Sequence, residues 1–324
     1  MSESGSGFEK HSLTPLCGLK RRVGAHLQFI LSRLLVLSVA ALVLSCGQAD
    51  PPPEALGSED LPISAEQQRL EAFFAATWEE DLARAPASAS YLGIKDQQDQ
   101  WNEVSEAFQL ESLEITRQRL AFIEGIDTTK LSPERQLSYR LYRLDLERTL
   151  AGAPYRHHRY IIHQFRGPHT SPISLLVNVH TIDSVQDASD YIARLNNLPQ
   201  YFDSVIEQIQ IRMEKGLYLV DWMIPKIAES AGNVLEGVPF DDTDTASVIW
   251  DDFTTKLDAL AGEPAVKESL LEAARDALLS SVKPAYERLI EVVQSQQEVA
   301  PADDGVWRFP DGDAFYANRL RAFT

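Results

Sequence analysis

The sequence predicts a mainly α, multi-helical protein of helical hairpins, with one irregular histidine-rich loop and at most one or two short strands. Apolar residues recur at spacings of three and four along most of the chain, which is the period of a helix with one buried face. Ser and Pro stand at the heads of several of these patterns and Gly at the ends of others, the positions those residues favour at helix termini. Apolar residues fill 44% of 324 positions, enough to build a continuous core.

Taken in order, the first helix begins at Ser64. Glu66, Gln67 and Gln68 follow it, and Leu70, Phe73, Phe74 and Trp78 form the apolar stripe, so the helix is expected to run to about Arg84. A second pattern passes through Leu110, Leu113, Leu120 and Ile123 and stops at Gly125, a residue that tolerates the left-handed conformation common at helix ends. A third starts at Ser132-Pro133-Glu134, where Pro suits the first helical position, and runs through Leu137, Leu141, Leu144 and Arg148.

Periodicity fails between Tyr155 and about His180, a stretch interrupted by Pro168 and Pro172 and preceded by Pro154. It is expected to be loop with one short strand at Tyr160 to His163. Asp187 to Leu198 predicts a short helix. Pro199 starts another, in which Phe202, Val205, Ile206, Ile209 and Met213 repeat before Gly216. Helices are predicted over 221–232 and 245–260, separated by Gly237-Val238-Pro239. A long pattern from Pro264 to Val293 is broken by Pro284, which predicts either a kinked helix or two helices meeting near Lys283.

The beginning of the chain carries an export signal. Lys20, Arg21, Arg22 and Arg33 precede the apolar run Leu34 to Leu44, which ends in Val43-Leu44-Ser45-Cys46. This reads as a signal peptide over residues 1–45 with lipid attachment at Cys46. The run is too short for a membrane span, which takes roughly 20 residues. Gly47, not an acid, follows the cysteine, so an outer-membrane lipoprotein facing the periplasm is expected. Residues 46–63, rich in Pro, Gly and acids, read as a flexible tether, and 64–324 as a helical domain.

Charge narrows the partners. The formal net charge is -18, which opposes binding to nucleic acid and to an anionic bilayer surface. Membrane attachment therefore falls to the lipid anchor. Removal of the signal peptide loses five basic and two acidic side chains and leaves 25 basic against 46 acidic. It also removes Cys17, so the mature chain has one cysteine and no internal disulfide.

No complete catalytic constellation is legible. Five of seven histidines, His157, His158, His163, His169 and His180, fall in the irregular segment, yet no pair has the i, i+3 or i, i+4 spacing that turns two rings toward one ion on a helix. No glutamate lies between Glu147 and Glu207 to complete a site. No metal site and no catalytic residue are assigned. His163, Gln164 and Arg166 are the substrate-facing donors expected from this loop. Ser280 and Lys283 form a Ser-x-x-Lys pattern without its companion motifs and read as helix surface. Nucleophile-elbow, Walker and dinucleotide fingerprints are absent from the sequence.

Two longer stretches resemble a known family. SDYIARLNNLPQYFDSVIEQIQIRMEKGLYLVDWMIP, with Arg194-Leu195, Leu198-Pro199, Gly216 and Pro225, is similar to the bacterial family of domain of unknown function 885. So is VKPAYERLIEVV with the ending DDGVWRFPDGDAFYANRLRAFT, through Pro284, Ala285, Tyr286, Gly305, Trp307, Pro310, Gly312 and Tyr316. The resemblance spans about residues 70–324. It implies a helical fold, frequent export as a lipoprotein, and kinship to zinc metallopeptidases whose histidine and glutamate ligands lie in a C-terminal half beyond Thr324.

The function expected on these grounds is the N-terminal helical portion of an exported metallopeptidase-like hydrolase, truncated and inactive alone, with a peptide as substrate. Zinc is expected in a full-length member and no cofactor in this chain. The alternative is a non-catalytic envelope lipoprotein that binds a peptide or protein partner.

Overall fold

Three serine-capped helices open the fold, and each cap reflects a contact between residues three apart. In a computed structural model that describes residues 63–303 and 305–323, Ser64 Oγ accepts from the Gln67 amide at the head of α1 (Ala65–Ala83). Ser105 does the same for Phe108 at α3 (Glu106–Glu124), and Ser132 for Arg135 at α4 (Pro133–Gly152). Each hydroxyl satisfies an amide that has no partner within the helix. A short α2 (Pro86–Tyr91) lies between the first two. The expected signal peptide, Cys46 and all of the tether but Ile63 lie outside the described residues.

Helices α1, α3 and α4 enclose a small core of Leu70, Ile123, Tyr139 and Leu146, with Phe73 stacked on Phe122 at 4.3 Å. The inward stripe of α4 is Tyr139, Tyr142 and Leu146, not the leucines that suggested it. Leu137, Leu141 and Leu144 are 50%, 59% and 40% exposed, because the bulkier tyrosines occupy the side facing α3. Gly125 ends α3 at φ -81° without entering the left-handed region.

The segment after α4 departs from expectation. A 3-10 helix covers Ala153–His158, and α5 (Ser171–Asn178) forms where loop was expected, with Pro172 in its first turn where a missing amide costs nothing. No strand forms at Tyr160 to His163. Among the described residues there are only isolated bridges, His163 with Arg166 and Val238 with Ala246.

Two predicted helices are one. The thirty-residue α6 (Val185–Glu214) runs through Pro199. Proline forfeits one helical hydrogen bond, but Tyr191, Leu195, Leu198, Phe202, Val205 and Ile209 form one continuous buried face. Each such side chain contributes about 1.5–3 kcal/mol, so packing on both sides of Pro199 outweighs the lost bond. Gly216, at φ 72°, closes the helix, with the Leu217 amide donating to the Arg212 carbonyl at 2.8 Å.

The main core forms where α6 meets α7 (Met223–Gly232), α8 (Val248–Ala259), α9 (Pro264–Ala277) and α10 (Lys283–Gln294). Phe202 meets Tyr286 edge-on at 4.9 Å. The expected interruption at Pro284 is a π turn over Leu278–Val282 joining α9 to α10, a widened turn that accommodates a residue without an amide. The last helix is α11 (Gly312–Phe323). Among the described residues, no helix is long and apolar enough to cross a membrane.

Candidate functional site

A groove of about 980 Å³ lies between α3, α4 and α11, closed at one end by the 3-10 helix and the residues after it. Phe108 and Leu113 of α3 and Leu144 of α4 form apolar walls, and Phe315 and Asn318 of α11 form the far rim. The Asn318 amide donates to the Ala151 carbonyl at 3.0 Å, which ties α11 to the end of α4. A space of this size, with apolar walls and many polar and charged groups, suits an extended small ligand or peptide.

Arg156 and Arg212 of its lining belong to a partly buried polar network centred on Glu106, the first residue of α3. The carboxylate accepts from Arg156, from His157 Nε2 at 3.0 Å and from Gln208 Nε2 at 3.2 Å. Gln208 in turn accepts from Arg212, one turn further along α6, at 2.9 Å. Arg212 also donates to the carbonyls of Arg159 and Gln208. Arg156, His157 and Gln208 thus hold one carboxylate, Arg212 braces the glutamine, and the network locks the 3-10 helix onto α3 and α6.

The ionisation of each group follows from these contacts. Burial pushes the Glu106 carboxyl up, but the bonds from Arg156, His157 and Gln208 and the Arg156 charge outweigh it and hold it at about 2. Burial lowers His157, which Glu106 only partly offsets. Arg212 is brought down by burial to about 10 against the attraction of Glu106, so it remains a cation at neutral pH.

The groove is positive in an otherwise acidic chain. Arg148, Arg156, Arg159, Arg212, Arg319 and Arg321 line it, against Glu103, Asp145 and Glu147. The guanidinium plane offers paired donors to carboxylate or phosphate oxygens. The arrangement can therefore hold and orient an anionic ligand.

The donors expected from sequence lie elsewhere. His163 and Arg166 pair through their backbones in a tight turn, each amide donating to the other's carbonyl at 3.3 and 3.2 Å. His163 Nδ1 accepts from the Phe165 amide at 3.2 Å. The Gln164 side-chain oxygen is buried without a hydrogen-bond partner. None of the three lines the groove, to which this segment contributes Tyr160 and Ile161. Ser280 donates back to the Asp276 carbonyl and Lys283 to the Phe240 carbonyl, so they do not face each other.

Sequence reasoning passed over Glu106, Gln208 and Arg212. The available signal was Gln208 and Arg212 on the α6 stripe, polar residues four apart beside Val205 and Ile209, where a buried polar pair requires partners from elsewhere.

Among the described residues, no group of three or more His, Cys, Asp or Glu side chains could hold a metal ion. His157 bonds to Glu106, His158 to the Pro310 carbonyl, and His180 to Arg194 and the Asp187 carbonyl. The described residues therefore do not fit the zinc that the family resemblance implies.

A family model for bacterial proteins of unknown function, DUF885, matches residues 86–324. The chain belongs to the DUF885 family. Every residue of the groove lies within the matched span, so the groove is part of the DUF885 region itself. No curated protein matches the chain. Among solved structures, the crystal structure of "the putative lipoprotein from Colwellia psychrerythraea" superposes with a TM-score of 0.69 at 16% identity. The match covers 80% of this DUF885 chain and 46% of that one. The likeness at that identity is one of fold, and the match takes in less than half the length of that protein.

Proposed function

We propose that this DUF885 chain is the N-terminal helical portion of an exported, metallopeptidase-like hydrolase, and that its groove is one wall of a peptide cleft. The groove carries this reading: it has apolar walls and is lined with hydrogen-bond donors, as a surface that holds an extended backbone should be. The lipobox ending at Cys46 supports attachment to the envelope, as does the name of the solved protein that shares the fold. In this reading the helical portion binds and orients substrate, is inactive alone, and takes the hydrolytic chemistry from residues beyond it. The zinc and peptide expected of a full-length member belong to that proposal.

A groove-filling substitution tests it. The mature chain and its Leu144→Trp variant are each presented with a random decapeptide pool, and retained peptides are identified by mass spectrometry. Leu144 is 40% exposed, so a larger side chain there fills the groove without disturbing the core. Leu141→Trp, one turn away and 59% exposed, is the control. Enrichment by the unsubstituted and Leu141→Trp chains that is lost in Leu144→Trp supports the cleft. Equal enrichment by all three, or none, sinks it.

A further inference from the structure

We propose that the groove selects peptides by an anionic oxygen group, a C-terminal carboxylate held between Arg148 and Arg159. This rests on the peptide-cleft reading and adds the charge of the ligand to it. Arg148 enters the groove from α4 and Arg159 from the residue after the 3-10 helix. Of the other arginines in the lining, Arg156 is committed to Glu106 and Arg212 to Gln208 and three backbone carbonyls, while Arg319 and Arg321 lie on α11. Arg148 and Arg159 have no ion-pair partner among the described residues, although acidic side chains outnumber basic ones in the chain.

Arg143 of α4 pairs with Glu124 of α3 and with Glu147, which is itself in the groove lining. Two arginines of the groove lining, half-buried Arg148 and exposed Arg159, are left with their planar donors unused, and Leu144, Ile161 and Phe315 line the same groove. A carboxylate at the end of a peptide satisfies both features: its backbone lies along the apolar walls and its terminus accepts from the arginines.

The test uses the mature chain and dansylated Ala-Gly-Leu-Ala-Gly-Ala, prepared as the free acid and as the C-terminal amide, with affinities read by fluorescence. Charge-assisted hydrogen bonds predict that the acid binds roughly tenfold or more tightly than the amide. Arg148→Gln with Arg159→Gln should bring the acid to the level of the amide and leave the amide unchanged. Arg140→Gln, which removes the same charge from an exposed part of α4 outside the groove, should change neither. Equal affinity of acid and amide would overturn the carboxylate site and leave the cleft standing. No binding of either peptide would overturn both. Displacement of the acid by inorganic phosphate at far lower concentration than by acetate would assign the arginines to a phosphate ligand and overturn the proposal.

Discussion

Arg194 and His180 face each other at 3.1 Å, guanidinium to imidazole Nδ1, and both are almost wholly removed from solvent. A guanidinium cannot accept a hydrogen bond, so Nδ1 must be the acceptor and the ring proton must sit on Nε2. There it donates to the Asp187 carbonyl at 2.9 Å. The geometry thus fixes both the tautomer of His180 and its neutrality, since a proton on Nδ1 would point into a cation.

Acid should therefore weaken the fold through its buried, neutral histidines. Burial brings His180 down to about 4, with Arg194 and Lys256 adding to the shift against the Asp187 carbonyl. Burial and the His163 charge bring His169 down to about 4 as well. The unfolded chain takes up these protons near 6.5. Stability from both rings is present above that value and is lost as pH falls from 6.5 to about 4, by an order of magnitude of ~3 kcal/mol each. Urea melts at several pH values across that window should show the decline, and His180→Gln should flatten it. The same slope in the variant would discard this role for His180.

Arg194 is expected to resist even substitution by lysine. Its side chain donates to the Gln100 carbonyl at 3.1 Å and Ser90 Oγ at 2.7 Å, and its guanidinium lies 5.4 Å from the Trp101 ring. Lysine keeps the charge but cannot fork to three acceptors in one plane. Arg194→Lys should cost at least ~2 kcal/mol, since hydrogen bonds to charged groups contribute roughly 1.5–3 kcal/mol. The urea midpoint measures it, and an unchanged midpoint would show that the three bonds are dispensable.

Why the helices were legible and the groove was not follows from distance along the chain. The caps at Ser64, Ser105 and Ser132 act on amides three residues away, and a local pattern suffices to find such contacts. The continuity of α6 across Pro199 was hidden because it depends on packing by helices far along the chain, as when Phe202 meets Tyr286. The groove is more remote still: Glu106 meets Gln208, and Asn318 meets Ala151, across 102 and 167 positions. Leu137, Leu141 and Leu144 show the converse, an apolar period that lies outward because neighbouring tyrosines fill the inner side of α4.

Lipid attachment gives a prediction independent of the helical domain. Chains expressed in a diderm host with radiolabelled palmitate should incorporate label, and Cys46→Ala should lose it and stay unprocessed. The apolar run before Cys46 is about a dozen residues, short of the roughly 20 a span requires. Equal labelling of both forms would remove the anchor.

The polar network provides the last test, because the Glu106 charge holds Arg156 directly and Arg212 through Gln208. Glu106→Gln preserves the size of the side chain but leaves half-buried Arg156 and buried Arg212 without their anion. Side-chain exposures of 21% for Glu106 and 29% for Arg156 place the pair between surface and core, so the loss at neutral pH should be about 1–3 kcal/mol. Its pH dependence separates charge from packing. A carboxyl held at about 2 in the fold, against roughly 4.3 when unfolded, contributes stability that is complete above the higher value. That stability disappears as pH falls toward the lower one. The difference between the native chain and Glu106→Gln should therefore be full at pH values above about 4.3 and shrink below it. Unfolding midpoints in urea at successive pH values measure the difference. A gap that stays constant into acid would mean that the glutamine fails by shape and that the anion does not hold the network.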